Sequence, residues 1–239
     1  MIRSMTEPAS PTAKLTRHQV SDATADLGWR YLVGMLCSYV PVESLTQAGQ
    51  VAAQITAACS GAGDSLRVDI RGDRLLVTLH SPTTYATARE IALARQISDL
   101  VGSLGLITDA QPGRDAPRPA QVVEIGIDAL DIAAIRPFWK AILGYQDETA
   151  DAGPQDGLVD PLGQGPSVWF QQMDAPRPQR NRIHFDVCVP HDEAQRRIQA
   201  TIAAGGRLTY DAEAPAFWVL TDPEGNEACV TTWQGRDPA

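Results

Sequence analysis

Basic residues are scarce in this chain of 239 residues, in which 20 Lys and Arg stand against 29 Asp and Glu. The formal net charge is −9. Attraction of a whole fold to nucleic acid or to an anionic membrane needs a basic surface, so we expect neither partner. Long apolar runs are missing too, and no stretch approaches the roughly 20 residues that cross a bilayer.

Cysteine is also sparse, and its spacing carries no motif. The four residues, Cys37, Cys59, Cys188 and Cys229, form no CxxC pair, and a reducing compartment would keep them as thiols. The first 16 residues contain Glu7 and two prolines but no apolar block, which is unlike a secretory signal. We therefore expect a cytoplasmic protein.

Two segments of poor periodicity suggest the domain organisation. Residues 1–21 are polar and aperiodic, which predicts a disordered lead-in. Residues 107–120 hold three prolines and a glycine, which predicts an exposed linker. The chain is then divided into domains at 22–106 and 121–236.

The first domain has the order helix, hairpin, helix. Apolar residues recur every three or four positions after Ser44 and again from Ile91 to Leu104, which predicts two amphipathic helices. Between them, two alternating runs meet at Gly72, which predicts a β-hairpin. We expect an α+β layer with the helices on one face of a small antiparallel sheet.

This order, together with the segment RVDIRGDRLLVTLHSP at residues 67–82, resembles the pterin-4a-carbinolamine dehydratase family. The resemblance implies catalytic roles for His80 and Glu90. The family's His–His–Pro motif would fall on residues 62–64, where this chain has Ala-Gly-Asp. A lone imidazole cannot replace three that act together as acid and base, so we expect a degenerate accessory domain.

The second domain repeats one pattern of elements. A strand at 122–127, a helix at 132–143 and further strands to Met173 form a βαβββ series, which returns from residue 182 to Trp233. Within 182–188 the residues alternate strictly, so Arg182, His184, Asp186 and Cys188 share one side. His184 and Cys188 lie roughly 13 Å apart along a strand, so His184, Asp186 and Cys188 cannot all bind one metal ion. We expect at most one of the three to be a metal ligand.

Four segments of this domain resemble the vicinal oxygen chelate superfamily, which includes glyoxalases, bleomycin-resistance proteins and extradiol dioxygenases. They lie at residues 137–145, 182–186, 204–206 and 222–227. The resemblance implies that two βαβββ modules form a half-open barrel. It also implies a divalent metal ion, held by one side chain from each of four strands, that acts as a Lewis acid.

Carried over residue by residue, the resemblance implies metal ligation by His184, Glu124, Gln171 and either Glu227 or Cys229. It implies a substrate-binding role for three further residues, Trp169, Arg182 and Asp186. A cavity that binds an organic ligand without a metal is the alternative, because this set is incomplete by the superfamily's usual pattern.

Three functions follow from these observations. The first is a small-molecule enzyme, such as a lyase or dioxygenase, with a degenerate pterin dehydratase-like accessory domain. The second is a non-catalytic protein that binds or sequesters a small molecule, and the third is residual 4a-hydroxytetrahydrobiopterin dehydratase activity. In each case we expect a small-molecule ligand and a homodimer.

Overall fold

The computed structural model of the protein describes residues 14–63, 65–80, 86–111, 120–176 and 183–235. The chain divides into two compact units between Val122 and Val123. Each unit has its own hydrophobic core, and the two cores share no residue. Among the described residues, no helix combines the length and the apolar character that a membrane span requires.

The first unit is a layer of helices on a four-stranded antiparallel sheet with the strand order β1-β2-β4-β3. The predicted hairpin and both predicted helices are confirmed. The elements in chain order are α1 (Arg17–Ala25), β1 (Arg30–Leu32), β2 (Met35–Pro41), α2 (Leu45–Ala58), β3 (Leu66–Ile70), β4 (Arg74–His80) and α3 (Ala88–Ser103).

Local sequence explains where these helices begin. Ser44 caps α2 by accepting a hydrogen bond from the backbone N–H of Gln47. Thr87 and Glu90 form a capping box at the start of α3. The apolar stripes of α2 and α3 then pack with alternate residues of β2 and β4 in one core, as the α+β prediction requires.

The prediction of disorder for residues 1–21 is wrong from Arg17 onward, where α1 begins. Thr16 and Gln19 form a capping box at its first turn, and Val20 and Thr24 are buried. The helix was missed because few of its positions are apolar. Capping and two buried residues fix it instead.

The prediction of an exposed linker at 107–120 is also wrong for its first residues. Tyr39 and Asp109 exchange two backbone hydrogen bonds of 2.8 Å, and the hydroxyl of Thr108 donates to the Leu27 carbonyl at 2.7 Å. Gly28 makes this approach possible, since a Cβ there would lie 2.1 Å from the Thr108 carbonyl oxygen. Residues 112–119 lie outside the described residues.

The second unit contains the βαβββ pattern twice, as predicted. Each module forms a four-stranded sheet, with the orders β5-β8-β7-β6 and β10-β11-β12-β9. The pairs β5–β8 and β9–β12 are parallel. The elements are β5 (Glu124–Ala129), α4 (Ile132–Leu143), β6 (Gln146–Asp147), β7 (Leu158–Val159), β8 (Ser167–Gln172), β9 (Phe185–Cys188), α5 (Ala194–Ala203), β10 (Arg207–Tyr210), β11 (Phe217–Thr221) and β12 (Glu227–Thr231).

The turn between β11 and β12 ties the two modules together. Asp222 is fully buried, and its carboxylate accepts hydrogen bonds from Trp139 Nε1 of α4 and from three donors of Glu224 and Asn226. The carboxylate of Glu224 accepts the backbone N–H groups of Leu130 and Asp131 just before α4. This turn therefore has a structural role and holds the second module against the first helix of the other.

Candidate metal centre

The strands β9 and β12 share one polar face that points away from the core. Their parallel register places Asp186 opposite Cys229, and His184 and Glu227 each lie two residues earlier along the chain. The alternate residues Phe185 and Val187 pack against the hydrophobic core of the unit. The polar residues of this strand pair are thereby held on the opposite face.

Three side chains meet on this polar face. One donor atom from each of His184, Asp186 and Cys229 lies within 4.8 Å of the other two. The Nδ1 atom of His184 lies 3.6 Å from Asp186 Oδ1 and 3.7 Å from Cys229 Sγ. The His184 and Asp186 side chains are 58% and 59% exposed, whereas Cys229 is buried.

The geometry separates two chemical roles that a Cys, a His and an Asp can share. In a nucleophilic relay, the thiol contacts one ring nitrogen of the histidine and the carboxylate orients it through the other. Here both partners lie beside the same nitrogen, Nδ1. The three donors therefore converge toward one point, as metal ligands do.

The pKa of the Cys229 thiol argues against the nucleophilic role. Burial, together with the nearby carboxylates of Asp186 and Glu227, raises that pKa from 9.0 to about 11. At neutral pH the thiol is protonated, so it is a poor nucleophile. The same carboxylates attract a cation, and a bound cation would favour the thiolate.

The residues present fit a divalent metal ion such as zinc. Zinc binds imidazole, carboxylate and thiolate at about 2.0–2.3 Å, which places tetrahedral ligands roughly 3.3–3.8 Å from one another. The two distances from His184 Nδ1 already lie in that range. Three protein ligands leave a fourth position for a substrate or water, which is the pattern of catalytic sites.

The expectation that at most one of His184, Asp186 and Cys188 ligates a metal stays a prediction. His184 and Asp186 are two residues apart on one face, and side chains of this length can turn toward each other across that spacing. Cys188 is not in the group, and its sulfur accepts a hydrogen bond from the hydroxyl of Thr231.

The other predicted ligands lie outside this group. Glu124 accepts a hydrogen bond from the hydroxyl of Ser167 at 3.1 Å, and the side-chain amide of Gln171 donates to the Gln172 carbonyl. Glu227 acts on the site through its charge, because it raises the pKa of Cys229. Among the described residues, no other group of three or more His, Cys, Asp and Glu side chains could hold a metal ion.

The predicted substrate-binding residues have different outcomes. Trp169 is 45% exposed on β8, Asp186 lies with the metal donors, and Arg182 falls outside the described residues. Sequence reasoning missed the convergence of Asp186 with His184 and Cys229. Asp186 and Cys229 can both be read from the sequence as possible metal ligands, but their proximity depends on the register of two strands that are far apart in the chain.

In the first unit, the structure gives Glu90 a structural role. Its Oε2 accepts hydrogen bonds from the backbone N–H and the hydroxyl of Thr87 at 2.8 and 2.7 Å. Its Oε1 is buried without a hydrogen-bond partner. His80 is the last residue of β4. Burial lowers the pKa of its imidazole from 6.5 to about 4, and the positive charge of Arg67 adds a smaller effect in the same direction.

Comparison with known protein families gives a match to the second unit. Residues 124–231 match the family model of the glyoxalase-like domain, so this part of the chain is a glyoxalase-like domain of the vicinal oxygen chelate superfamily. A search of curated proteins found no match.

Several solved structures are similar to the chain over a little less than half of its length. An enzyme of the glyoxalase/bleomycin resistance protein/dioxygenase family from Burkholderia phytofirmans PsJN is 20% identical, with 47% of this chain and 98% of that chain covered and a TM-score of 0.39. A glyoxalase-related enzyme from Fulvimarina pelagi is 19% identical, with 48% and 88% covered and a TM-score of 0.36. The resemblance of the first unit to pterin dehydratases gains no support from these comparisons and stays a prediction.

Proposed function

We propose that the second unit is a small-molecule enzyme of the glyoxalase-like group that uses a divalent cation held by His184, Asp186 and Cys229. The observation that carries this proposal is the convergence of three unlike donor atoms within 4.8 Å on an open strand face. When bound, the cation would supply Lewis acidity toward an oxygen of the substrate. We propose no catalytic role for the first unit, because Glu90 is committed to the cap of α3.

The residues of the proposed site differ in exposure and in mobility. His184 and Asp186 are exposed and can adjust to a ligand, whereas Cys229 is fixed in β12. Cys229 must lose its proton to become a ligand, and the raised pKa makes cation binding pH-dependent. The affinity for the cation is therefore expected to rise from pH 6 to pH 8.

The second candidate function is binding of an organic molecule without a cation. The raised pKa of Cys229 favours it, since the neutral thiol leaves the polar face able to accept an uncharged ligand. Metal content separates the two functions. A ligand that binds equally well to chelator-treated protein would support the second.

The test is a titration of the full-length, chelator-treated protein with Co²⁺. We expect a near-ultraviolet charge-transfer band from the Cys229 thiolate, its loss in Cys229→Ser, and strongly weakened binding in His184→Ala. Cys188→Ser is the matched control, because Cys188 lies on the same face but outside the donor group. Absence of the band in the wild-type protein, or its loss in the control, would contradict the proposed centre.

A further inference from the structure

The polar face that carries the donor group continues across two further strands of the second module. Thr221 of β11 lies opposite Glu227 of β12, and Arg207 of β10 lies opposite Thr221. Residues directly opposite each other in neighbouring strands point to the same side of a sheet. Glu227 is two residues before Cys229, and its charge contributes to the raised pKa of that thiol. Arg207 and Thr221 therefore share the face of the proposed cation centre.

The middle of this face is recessed. Cys229 and Thr221 are only 5% and 6% exposed, although along their strands they alternate with the core residues Val230 and Leu220. The hydroxyl oxygen of Thr221 is buried without a hydrogen-bond partner. Buried hydroxyl groups nearly always have a partner, and a polar ligand on this face would supply one.

Arg207 provides the positive charge of this face. It is exposed, and its guanidinium forms no hydrogen bond or ion pair with any of the described residues. Among the described residues that share the face on β9 to β12, it is the only arginine or lysine. Arg196 and Arg197 of α5, by contrast, both pair with Glu193. The guanidinium of Arg207 is therefore available to an anionic group of a ligand.

The distance between Arg207 and the donor group limits the shape of such a ligand. Neighbouring strands lie about 4.8 Å apart, so the backbone of β10 is roughly 10 Å from that of β12. One molecule can thus place an anionic group at Arg207 and an oxygen at the cation. A carboxylate suits this position better than a doubly charged phosphate, because a single guanidinium matches a carboxylate in charge and in geometry and Glu227 lies on the same face.

We infer that the small molecule bound by the second unit carries a carboxylate, and that Arg207 binds this group while an oxygen at the other end of the molecule reaches the cation. This inference deepens the proposed function and rests on it for the cation. It makes Arg207 a specificity-determining residue that does not itself hold the cation, since the donor group contains no residue of β10.

The experiment measures the binding of three hydroxamates to the full-length protein loaded with Co²⁺. The hydroxamate group chelates Co²⁺, and the three ligands have the same chain length but different far ends. Adipic monohydroxamate ends in a carboxylate, caproic hydroxamate in a methyl group and aminocaproic hydroxamate in an ammonium group. Isothermal titration calorimetry should show adipic monohydroxamate binding about tenfold more tightly than either of the others, because Arg207 attracts only the carboxylate.

Variants locate the carboxylate. Arg207→Gln should remove the tenfold preference, and Arg207→Lys should keep part of it, because lysine retains the charge but not the planar fork of the guanidinium. Arg196→Gln is the matched control, since it removes the same charge from the same unit at a side chain that is 76% exposed and pairs with Glu193. The binding of caproic hydroxamate should be unchanged in all three variants.

Equal affinities for the three ligands, a preference that persists in Arg207→Gln, or an equal loss in Arg196→Gln would overturn the inference. The Co²⁺ titration of the wild-type protein separates it from the proposed function. A normal Cys229 band without a preference for the carboxylate ligand refutes the role of Arg207 and leaves the cation centre intact. If no Cys229 band appears but the chelator-treated protein still prefers adipic monohydroxamate through Arg207, the cation centre fails and the assignment of Arg207 stands.

Discussion

At the scale of single residues, two buried carboxylates behave differently. Asp222 accepts four hydrogen bonds and joins α4 to the turn after β11. Glu90 uses one oxygen in a cap and leaves the other buried without a partner. Burial alone therefore does not mark either residue as catalytic, and the hydrogen-bond partners decide its role.

We expect Asp222→Ala to lower the free energy of unfolding by about 3 kcal/mol, because Trp139 Nε1 and the backbone donors of the turn would lose their acceptor. Urea denaturation followed by tryptophan fluorescence measures the loss. Asp174→Ala, at an exposed carboxylate of the same unit, serves as the control and should change it by less than about 0.5 kcal/mol. Equal effects of the two substitutions would contradict the role of Asp222.

His80 is expected to make stability depend on pH. Its pKa is about 4 in the folded protein and 6.5 in the unfolded reference, so the unfolded chain takes up the proton first as pH falls. The contribution of the neutral His80 side chain to the free energy of unfolding is complete above pH 6.5. It is lost as the pH falls from 6.5 toward 4. His80→Gln should flatten this part of the stability profile, and an NMR titration should show an imidazole midpoint near 4. A midpoint near 6.5 would contradict the burial of this side chain.

At the scale of elements, two glycines should respond in opposite ways to alanine. Gly206, after α5, has Phe138 at 2.6 Å and the Thr201 carbonyl at 2.8 Å from an added Cβ. Gly49, inside α2, has no atom within 4 Å of one. Gly206→Ala should therefore lower stability by about 1–3 kcal/mol, and Gly49→Ala should raise it by about 0.5–1 kcal/mol.

Chemical denaturation of the two variants beside the wild-type protein measures the direction of each change in the free energy of unfolding. A stabilising Gly206→Ala would mean that α4 and α5 pack less closely than the structure shows. A destabilising Gly49→Ala would contradict the open surroundings of α2 at that position.

At the scale of the whole molecule, the two cores and the Pro-rich stretch between them predict two protease-resistant pieces. Brief trypsin treatment should cut after Arg114, while Arg118 precedes Pro119, a bond that trypsin cleaves poorly. Mass spectrometry identifies the fragments, and Arg114→Gln should slow the cut. A first stable cleavage between residues 124 and 231 would contradict the domain division.

Apolar periodicity in the sequence was enough to predict α2, α3 and α4 and the order of elements in the second unit. Their apolar spacing, the N-caps at Ser44 and Asp131 and the glycine at 144 act within a few residues of each helix. The helix α1 and the pairing of Asp109 with Tyr39 were not predicted, since a capping box and an isolated backbone bridge, rather than an amphipathic pattern, stabilise them.

The candidate site also combines features that the sequence predicts with features that only the tertiary structure shows. The alternation at residues 182–188 placed His184 and Asp186 on a polar face from sequence alone. The family resemblance offered Cys229 and Glu227 as alternatives beside His184. Only the tertiary structure showed that Cys229 joins His184 and Asp186, because the parallel register of β9 and β12 pairs residues more than 40 positions apart. It likewise placed Gly126 of β5 opposite Trp169 of β8, a pairing that no local pattern in the sequence encodes.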